Sequence, residues 1–294
     1  MEIKIIDKNV VIELTELEFA AFETMFNNLN INHNVYVSGV DWPEWSIHNG
    51  NFFKYLKPMH LCRCIGEACA VEQAGPLDLL SLYPFWKYGF CFGGTGQVRL
   101  NFTEIDPHKK ANLSDEFGMG FCAWAMEEVF DCDSWCDTAD ALDAGTVKAL
   151  GMSRPDFVCA FKDGSLGFFE AKGTTQGRGT ANSQAKDGKS QTAQLEPIGG
   201  VVSVRCCTAV SVEDDGASRN TRLLLKDPPA DGEALKVRID PERIREAARA
   251  RGYREKLFGD ITTLFSCGDR KLSLVRTPFV PEKRHGWLSA TAEA

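Results

Sequence analysis

The stretch Ser153-Arg-Pro-Asp-Phe-Val-Cys-Ala-Phe-Lys-Asp-Gly-Ser-Leu-Gly-Phe-Phe-Glu-Ala-Lys172 holds two apolar segments joined by a glycine-containing turn, which predicts a β-hairpin. Asp156 opens the first strand, and Glu170 and Lys172 close the second. Because residues two apart on a strand point to the same face, Glu170 and Lys172 are expected to project together. Two carboxylates and the intervening Ala171 carbonyl are the hard oxygen ligands that Mg²⁺ or Mn²⁺ accepts.

The segments Pro155-Asp156 and Glu170-Ala171-Lys172 resemble the motif of the PD-(D/E)XK nuclease superfamily, over roughly residues 114 to 207. The resemblance implies an α/β (mixed α+β) fold class, with a central mixed β-sheet flanked by helices in a restriction-endonuclease-like core. It also implies a Mg²⁺-dependent endo- or exonuclease that acts on DNA rather than RNA, in restriction, repair or anti-phage defence, beside a helicase or ATPase partner. In this interpretation Asp156, Glu170 and Ala171 hold the metal, and Lys172 positions the attacking water.

Two other interpretations stay open at this point. A non-catalytic nucleic-acid-binding or scaffolding subunit would keep the fold but have displaced carboxylates or a blocked cleft. An unrelated interaction protein would contain an ordinary hairpin with polar residues at its ends. The mutual positions of Asp156, Glu170 and Lys172 distinguish the three, since only catalysis requires these head groups to converge.

The register of the hairpin decides whether the two carboxylates share a face. Pairing Lys162 with Ser165 would place Asp156 on the face opposite Glu170. Pairing Lys162 with Leu166, around a three-residue loop with a left-handed glycine, places Asp156 opposite Lys172 and on the same face as Glu170. We predict the second register. It also gathers an apolar set on the other face, namely Phe157, Cys159, Phe161, Phe169 and Ala171.

Helices are predicted on both sides of the hairpin in sequence. Ser114 has the character of a helix cap, and the apolar spacing continues to about Phe130. The resemblance implies a further acidic residue on this helix, for which Glu116 is favoured over Glu127. After the hairpin we expect a flexible loop from Gly173 and then a polar helix over about 183–195. The resemblance places a polar catalytic residue on that helix, for which Gln191 is the first candidate, with Gln194 and Lys189 close behind.

The charge balance is acidic, with 33 Lys and Arg against 41 Asp and Glu, a net charge of −8. Such a chain does not coat nucleic acid by charge alone, because neutralised phosphates dominate that kind of binding. The segment 172–205 is locally basic, and Arg178 and Lys189 are its predicted nucleic-acid contacts. The sequence contains no apolar run long enough for a membrane span and begins without a signal peptide. With eleven cysteines and no leader, a cytoplasmic location is expected.

The chain divides by pattern into an N-terminal region, residues 1–105, whose role we leave unassigned, and a nuclease-like domain, residues 106–294. The N-terminal region contains a cluster of potential zinc ligands at His60, Cys62, Cys64 and Cys69. Structural zinc sites use two pairs of closely spaced ligands, and the second pair is unclear here. The preferred interpretation is that these thiols are reduced and buried.

Overall fold

The structure is a computed structural model that describes residues 2–6, 9–13, 16–40, 51–69, 87–92, 105–198, 201–212, 221–226, 266–268 and 271–273. Its mixed helix and strand content confirms the predicted α/β class in that respect. The helices are α1 (Glu16–Asn30), α2 (Pro58–Cys69), α3 (Pro107–Glu128), α4 (Thr138–Asp143) and α5 (Arg178–Thr192). The strands are β1 (Glu2–Ile6), β2 (Asn9–Glu13), β3 (His33–Val40), β4 (Asn51–Leu56), β5 (Ser134–Asp137), β6 (Val147–Ala149), β7 (Phe157–Ala160), β8 (Leu166–Thr174), β9 (Leu195–Pro197), β10 (Val202–Ser211), β11 (Thr221–Lys226), β12 (Ser266–Gly268) and β13 (Lys271–Ser273).

The central sheet of the described chain is mixed and has the strand order β4-β3-β11-β10-β8-β7-β5. Strands β8 and β10 run parallel, as do β3 and β11, and the remaining neighbours are antiparallel. Strands β3 and β4 come before residue 105 in sequence, so segments from both sides of the predicted boundary share this sheet. The division into residues 1–105 and 106–294 stays a prediction.

Helices cover both faces of the central sheet, as predicted. On one face, α3 buries Phe117 and Phe121 completely, in a cluster that also contains Phe157 and Phe169 of the hairpin. On the other face, α5 packs through small side chains. Ala181 and Ala185 of the helix form a buried cluster with Cys207, Ala209 and Leu224 of the sheet. Because small residues let a helix approach closely, the backbone of α5 lies near the sheet surface.

The start of α3 differs from the prediction. The helix begins at Pro107, and Asp106 is its cap, accepting a hydrogen bond from the His108 amide at 3.0 Å. Proline suits the first helical position because its missing N–H would have no partner there. Ser114 was wrongly predicted as the cap. It lies within the helix, where its hydroxyl donates to the Lys110 carbonyl at 2.7 Å.

The segment after the hairpin also differs from the prediction. Strand β8 continues to Thr174 and α5 begins at Arg178, so the flexible loop expected from Gly173 onward is wrong over most of its length. At this end the strand packs directly against α3. A Cβ at Gly173 would lie only 1.7 Å from the Ser114 carbonyl oxygen, so the contact leaves no room for a side chain. A Cβ at Gly118 would lie 2.7 Å from the Gly173 amide nitrogen. Gly118 therefore allows α3 to pack closely on the end of β8, whereas a Cβ at Gly120 would meet Ile65 of α2.

A second sheet joins the two ends of the described chain, in the order β1-β2-β13-β12. A small two-stranded ribbon pairs β6 with β9 beside the end of α5. None of the helices in the described ranges has the length and hydropathy needed to cross a bilayer.

Candidate active site

The hairpin of β7 and β8 has a register two residues away from the predicted one. Phe157 pairs with Phe169 and Ala160 pairs with Leu166, and the Phe161 amide donates to the Ser165 carbonyl at 2.9 Å. The loop is thus a three-residue loop over 162–164, one position earlier than predicted, and Gly164 is left-handed with φ 84°. The predicted pairing of Lys162 with Leu166 is wrong, and the loop length and its left-handed glycine are confirmed.

The side chain of Asp163 gives the physical reason for this register. Its Oδ1 accepts hydrogen bonds from the Ser165 amide at 2.9 Å and from the Ser165 hydroxyl at 2.7 Å. Such a local turn competes with strand pairing and removes Ser165 from the loop. A shift of two residues preserves the face of every side chain, because strands alternate with a period of two. The predicted apolar face is therefore confirmed, since Phe157, Cys159, Phe169 and Ala171 are buried in one cluster and Phe161 packs against it.

Asp156 is placed opposite Glu170 by the observed register, because it precedes Phe157 and Glu170 follows Phe169. Its Oδ2 accepts a hydrogen bond from the Ala171 amide at 2.8 Å. Its backbone carbonyl accepts from the Thr138 amide at 2.9 Å, at the start of α4. These two bonds fix Asp156 from the neighbouring strand and from the helix that follows β5.

The Ala171 carbonyl was predicted as a metal ligand. The Glu170 carbonyl accepts from the Thr208 hydroxyl at 3.2 Å, so it faces β10. Backbone groups of successive strand residues point to alternate sides, so the Ala171 carbonyl faces the side on which Asp156 lies. The geometry is compatible with that assignment, which stays a prediction.

The Asp156 carboxyl group lies close enough to that of Glu170 for its charge to act on the Glu170 carboxyl. Glu170 is 1% exposed, and burial together with the charge of Asp156 raises its pKa to about 7. Burial also raises the pKa of Asp156, although the Ala171 amide and Lys172 oppose the shift. Two neighbouring carboxylates disfavour each other's ionisation, and a cation bound by both relieves that repulsion. The pair therefore fits a divalent cation bound by carboxylate oxygens.

Lys172 and Gln191 converge on the same carboxylate. The Lys172 ammonium donates to Glu170 Oε1. Burial would lower the pKa of Lys172, but the Glu170 and Asp156 carboxylates outweigh it and raise that pKa, so the side chain remains an ammonium. With its amide oriented by hydrogen bonding, Gln191 donates to the two Glu170 oxygens at 2.6 and 3.1 Å. The structure thus brings together four of the predicted residues, Asp156, Glu170, Lys172 and Gln191.

The two predicted helix carboxylates have other partners. Glu116 is bonded to the Lys87 ammonium at 2.5 Å, and Glu127 accepts from the Trp135 indole at 3.0 Å. Asp115, which sequence reasoning missed, interacts electrostatically with Lys172, while burial is the main cause that raises its pKa. The catalytic role of Glu116 stays a prediction, and Asp115 is the α3 carboxylate for which the structure shows an interaction with the site.

A second missed carboxylate is Asp137, at the end of β5. Its charge contributes to raising the pKa of Asp156, after burial, so the two groups are electrostatic neighbours. In the sequence Asp137 belongs to an acidic run over 127–143 that resembles a solvated surface. Only the pairing of β5 with β7 brings it beside the site, through the register Asp137 with Phe157.

The predicted nucleic-acid contacts lie on α5 at different distances from the site. Arg178 is exposed at the first position of the helix, thirteen residues before Gln191. At 1.5 Å per residue, that separation is about 20 Å along the axis. Lys189 is half-buried and lies two residues before Gln191. Both assignments stay predictions.

The cluster predicted as a weak zinc candidate is organised around an arginine. His60, Cys64 and Glu127 have ligand atoms within 4.8 Å of one another. The Arg63 guanidinium lies among them and contacts His60 Nε2 at 2.6 Å as well as the Glu127 carboxylate. A guanidinium among these atoms disfavours a metal ion, because it supplies the positive charge itself. The thiols of Cys62 and Cys64 are buried and free, as predicted, whereas Cys69 is exposed, so its predicted burial is wrong.

Comparisons of the chain with protein-family models, with curated proteins and with solved structures found no match. The chemistry must therefore be argued from the geometry of the site. That geometry consists of the buried Glu170 carboxyl beside the half-buried Asp156, a protonated lysine on the same face of the hairpin, and an amide from α5.

The raised pKa of Glu170 predicts a pH dependence of stability in the metal-free protein. The ordinary pKa of this group is 4.5, and the folded value is about 7. A carboxyl with a raised pKa contributes stability that is fully present below 4.5 and is lost as the pH rises through 7. The Glu170→Gln variant lacks this titration. We expect wild type to lose at most about 3 kcal/mol relative to the variant between pH 4.5 and 8, because each pKa unit corresponds to about 1.4 kcal/mol.

The measurement is urea unfolding in EDTA at several pH values between 4.5 and 8. Asp163→Asn is the control, because Asp163 is exposed, lies in the same hairpin, and has a pKa lowered by its bonds to Ser165. That variant should keep the wild-type slope above pH 5. Parallel curves for wild type and Glu170→Gln would show that Glu170 ionises normally in the fold.

Proposed function

We propose that the chain is a metal-dependent nuclease that hydrolyses phosphodiester bonds, with DNA as the preferred substrate. The observation that carries the proposal is the convergence of Asp156, Lys172 and Gln191 on the buried Glu170 carboxyl. Neighbouring carboxylates repel each other when both are ionised, and a bound cation offsets that repulsion. A lysine at the same carboxylate adds a mobile donor and a positive charge where a phosphate would lie. The preference for DNA comes from the resemblance to the PD-(D/E)XK superfamily.

Asp156 and Glu170 would hold the metal, with the Ala171 carbonyl on the same side of β8. When bound, a divalent ion supplies Lewis-acid polarisation of a phosphoryl oxygen and lowers the pKa of water. Lys172 is protonated, so its role is to donate a hydrogen bond and to stabilise negative charge on the phosphate, and not to accept a proton. Gln191 orients Glu170 by donating to its oxygens. Strand β8 thus supplies Glu170 and Lys172, and α5 supplies Gln191 from the other side.

A non-catalytic nucleic-acid-binding subunit is the second candidate. The burial of Glu170 favours it, because a 1% exposed carboxyl under α5 must become accessible before it can bind a hydrated ion. This candidate predicts binding of nucleic acid without cleavage. A cleavage assay therefore distinguishes the two functions.

The test is incubation of wild type and Asp156→Ala with single- and double-stranded DNA and RNA, in Mg²⁺, in Mn²⁺ and in EDTA. We expect wild type to cut DNA only when a metal is present, and the variant to show no cutting above the EDTA background. Equal cutting by both proteins would assign the activity to a contaminant or another site. Binding of DNA without cutting in any metal would favour the non-catalytic subunit and overturn the proposal.

A further inference from the structure

The contact between α5 and the site is made by a glycine. A Cβ at Gly188 would lie 2.6 Å from the Cys207 sulfur, 3.0 Å from Glu170 Cγ and 3.2 Å from Lys172 Cε. No real Cβ approaches a heavy atom as closely as 2.6 Å, so position 188 accepts no side chain unless the helix or its neighbours move. The helix backbone here is in direct contact with the side chains of the two central site residues.

The remaining buried face of α5 supports this close approach. Its buried residues are Ala181, Ala185, Gly188 and Thr192, at spacings of four, three and four. Ala181 and Ala185 pack in the cluster with Cys207, Ala209 and Leu224. Cys207 lies in the sheet below this helix, where it is fully buried and pairs with Glu170 of β8. Gly188 therefore continues a tight helix-to-sheet contact into the site.

Gln191 lies one turn further along the same helix, where its amide contacts the Glu170 carboxyl. The distance between α5 and the sheet at Gly188 consequently sets two features of the site. It confines the stem of Lys172, whose ammonium contacts Glu170, and it fixes the reach of Gln191 to the same group. A displacement of about 1 Å in catalytic groups is enough to lower a rate by about 100-fold.

We propose that Gly188 is a positioning residue, which holds α5 against Glu170 and Lys172 so that Lys172 and Gln191 converge on one carboxylate. This inference rests on the proposed nuclease function. Gly188→Ala should lift α5 from the Cys207 sulfur and lower the rate constant for cutting by about 10- to 100-fold, with little change in KM for DNA. Alanine has a higher helix propensity than glycine, so a weaker helix would not explain the loss.

The chain supplies a matched control and a rescue. Gly179 lies in the same helix, and a Cβ there meets nothing within 4 Å. Gly179→Ala therefore makes the same chemical change without a clash and should leave cutting at the wild-type rate. The double variant Gly188→Ala, Cys207→Ala removes the nearest obstacle and leaves Glu170 Cγ at 3.0 Å and Lys172 Cε at 3.2 Å, contacts that shifts of a few tenths of an ångström relieve. It should recover most of the rate relative to Cys207→Ala alone.

The experiment measures single-turnover cutting, Mn²⁺ binding by calorimetry and thermal unfolding for wild type and these variants. Loss in Gly188→Ala with recovery in the double variant supports the proposal, and it does so even if Gly188→Ala alone proves poorly folded. Wild-type cutting by Gly188→Ala, or the same loss in Gly179→Ala, would overturn it while the nuclease assignment stands. Absence of both cutting and Mn²⁺ binding in wild type would overturn the nuclease function, and the positioning role with it.

Discussion

Replacing Lys172 by alanine should lower metal-dependent cutting by about 100- to 10,000-fold while Mn²⁺ binding is unchanged or stronger. The ammonium donates to Glu170 Oε1, so its removal leaves the phosphate without a positive donor and frees a carboxylate oxygen for the ion. The variant also loses a cation whose charge lowers the pKa of Glu170 and Asp156. The two pKa values should rise, and tighter metal binding is therefore expected only where the pH exceeds them.

The measurement combines single-turnover cleavage with calorimetric titration of Mn²⁺ at pH 8. Lys162→Ala is the control, because Lys162 lies in the turn of the same hairpin, is 61% exposed and pairs with Asp131. Lys172→Arg keeps the charge but not the compact ammonium, so it should recover only part of the rate. Full activity in Lys172→Ala would remove Lys172 from the chemistry. A parallel loss of Mn²⁺ affinity would instead assign it a role in metal binding.

Three of the predicted residues that the structure brings together are close to one another in the chain. Asp156, Glu170 and Lys172 lie in one hairpin, where the period of two decides which face each side chain occupies. A shift of the pairing by two residues leaves every side chain on the same face of the sheet. The face of each residue was therefore predictable, although the register of the hairpin was not. The register depends on the two hydrogen bonds that Asp163 accepts from Ser165. The sequence of the turn is equally compatible with other common turns, so it did not predict these bonds.

The carboxylates Asp115 and Asp137, which other elements bring near the site, were not predictable in this way. Asp115 reaches the neighbourhood of Lys172 because α3 crosses β8 at the contact between Gly118 and Gly173. Asp137 does so because β5 pairs with β7. Both facts concern packing between elements distant in sequence. A pattern of carboxylates alone does not distinguish them from nearby acids such as Asp143.

Helix boundaries show a related limit. The Asp106-Pro107 pair is a strong start signal, yet the apolar spacing begins only later, so the capping character of Ser114 suggested a start about two turns too late. The opposite difficulty affects α5, whose buried face is made of alanine, glycine and threonine. Such a face has almost no hydrophobic contrast with the exposed one, and its tight contact with the sheet was therefore not visible in the sequence.

The largest expected effect on stability comes from Arg63. Its guanidinium donates to Glu67 Oε1 at 2.8 Å and to the Glu127 carboxylate, and Glu67 is 1% exposed. Glu127 also accepts from the Trp135 indole at 3.0 Å, so the cluster ties α2 to α3 and β5. Arg63→Met fills similar space but removes the guanidinium from the buried Glu67 and the partly buried Glu127. Breaking such a network from one side costs about 3–5 kcal/mol, which is a large part of the stability of an ordinary domain.

The measurement for Arg63→Met is urea unfolding at pH 7.5, with Arg154→Met as the control, because Arg154 is exposed. The triple variant Arg63→Met, Glu67→Gln, Glu127→Gln should recover much of the loss, since no buried charge then remains unpaired. The loss in Arg63→Met should also shrink at pH 5, where the buried carboxyls can take up protons. A loss below about 1 kcal/mol at pH 7.5 would mean that water reaches both carboxylates, since exposed ion pairs are worth no more than that. Full recovery in the triple variant would show that the arginine balances the two acids and that the fold does not depend on its shape.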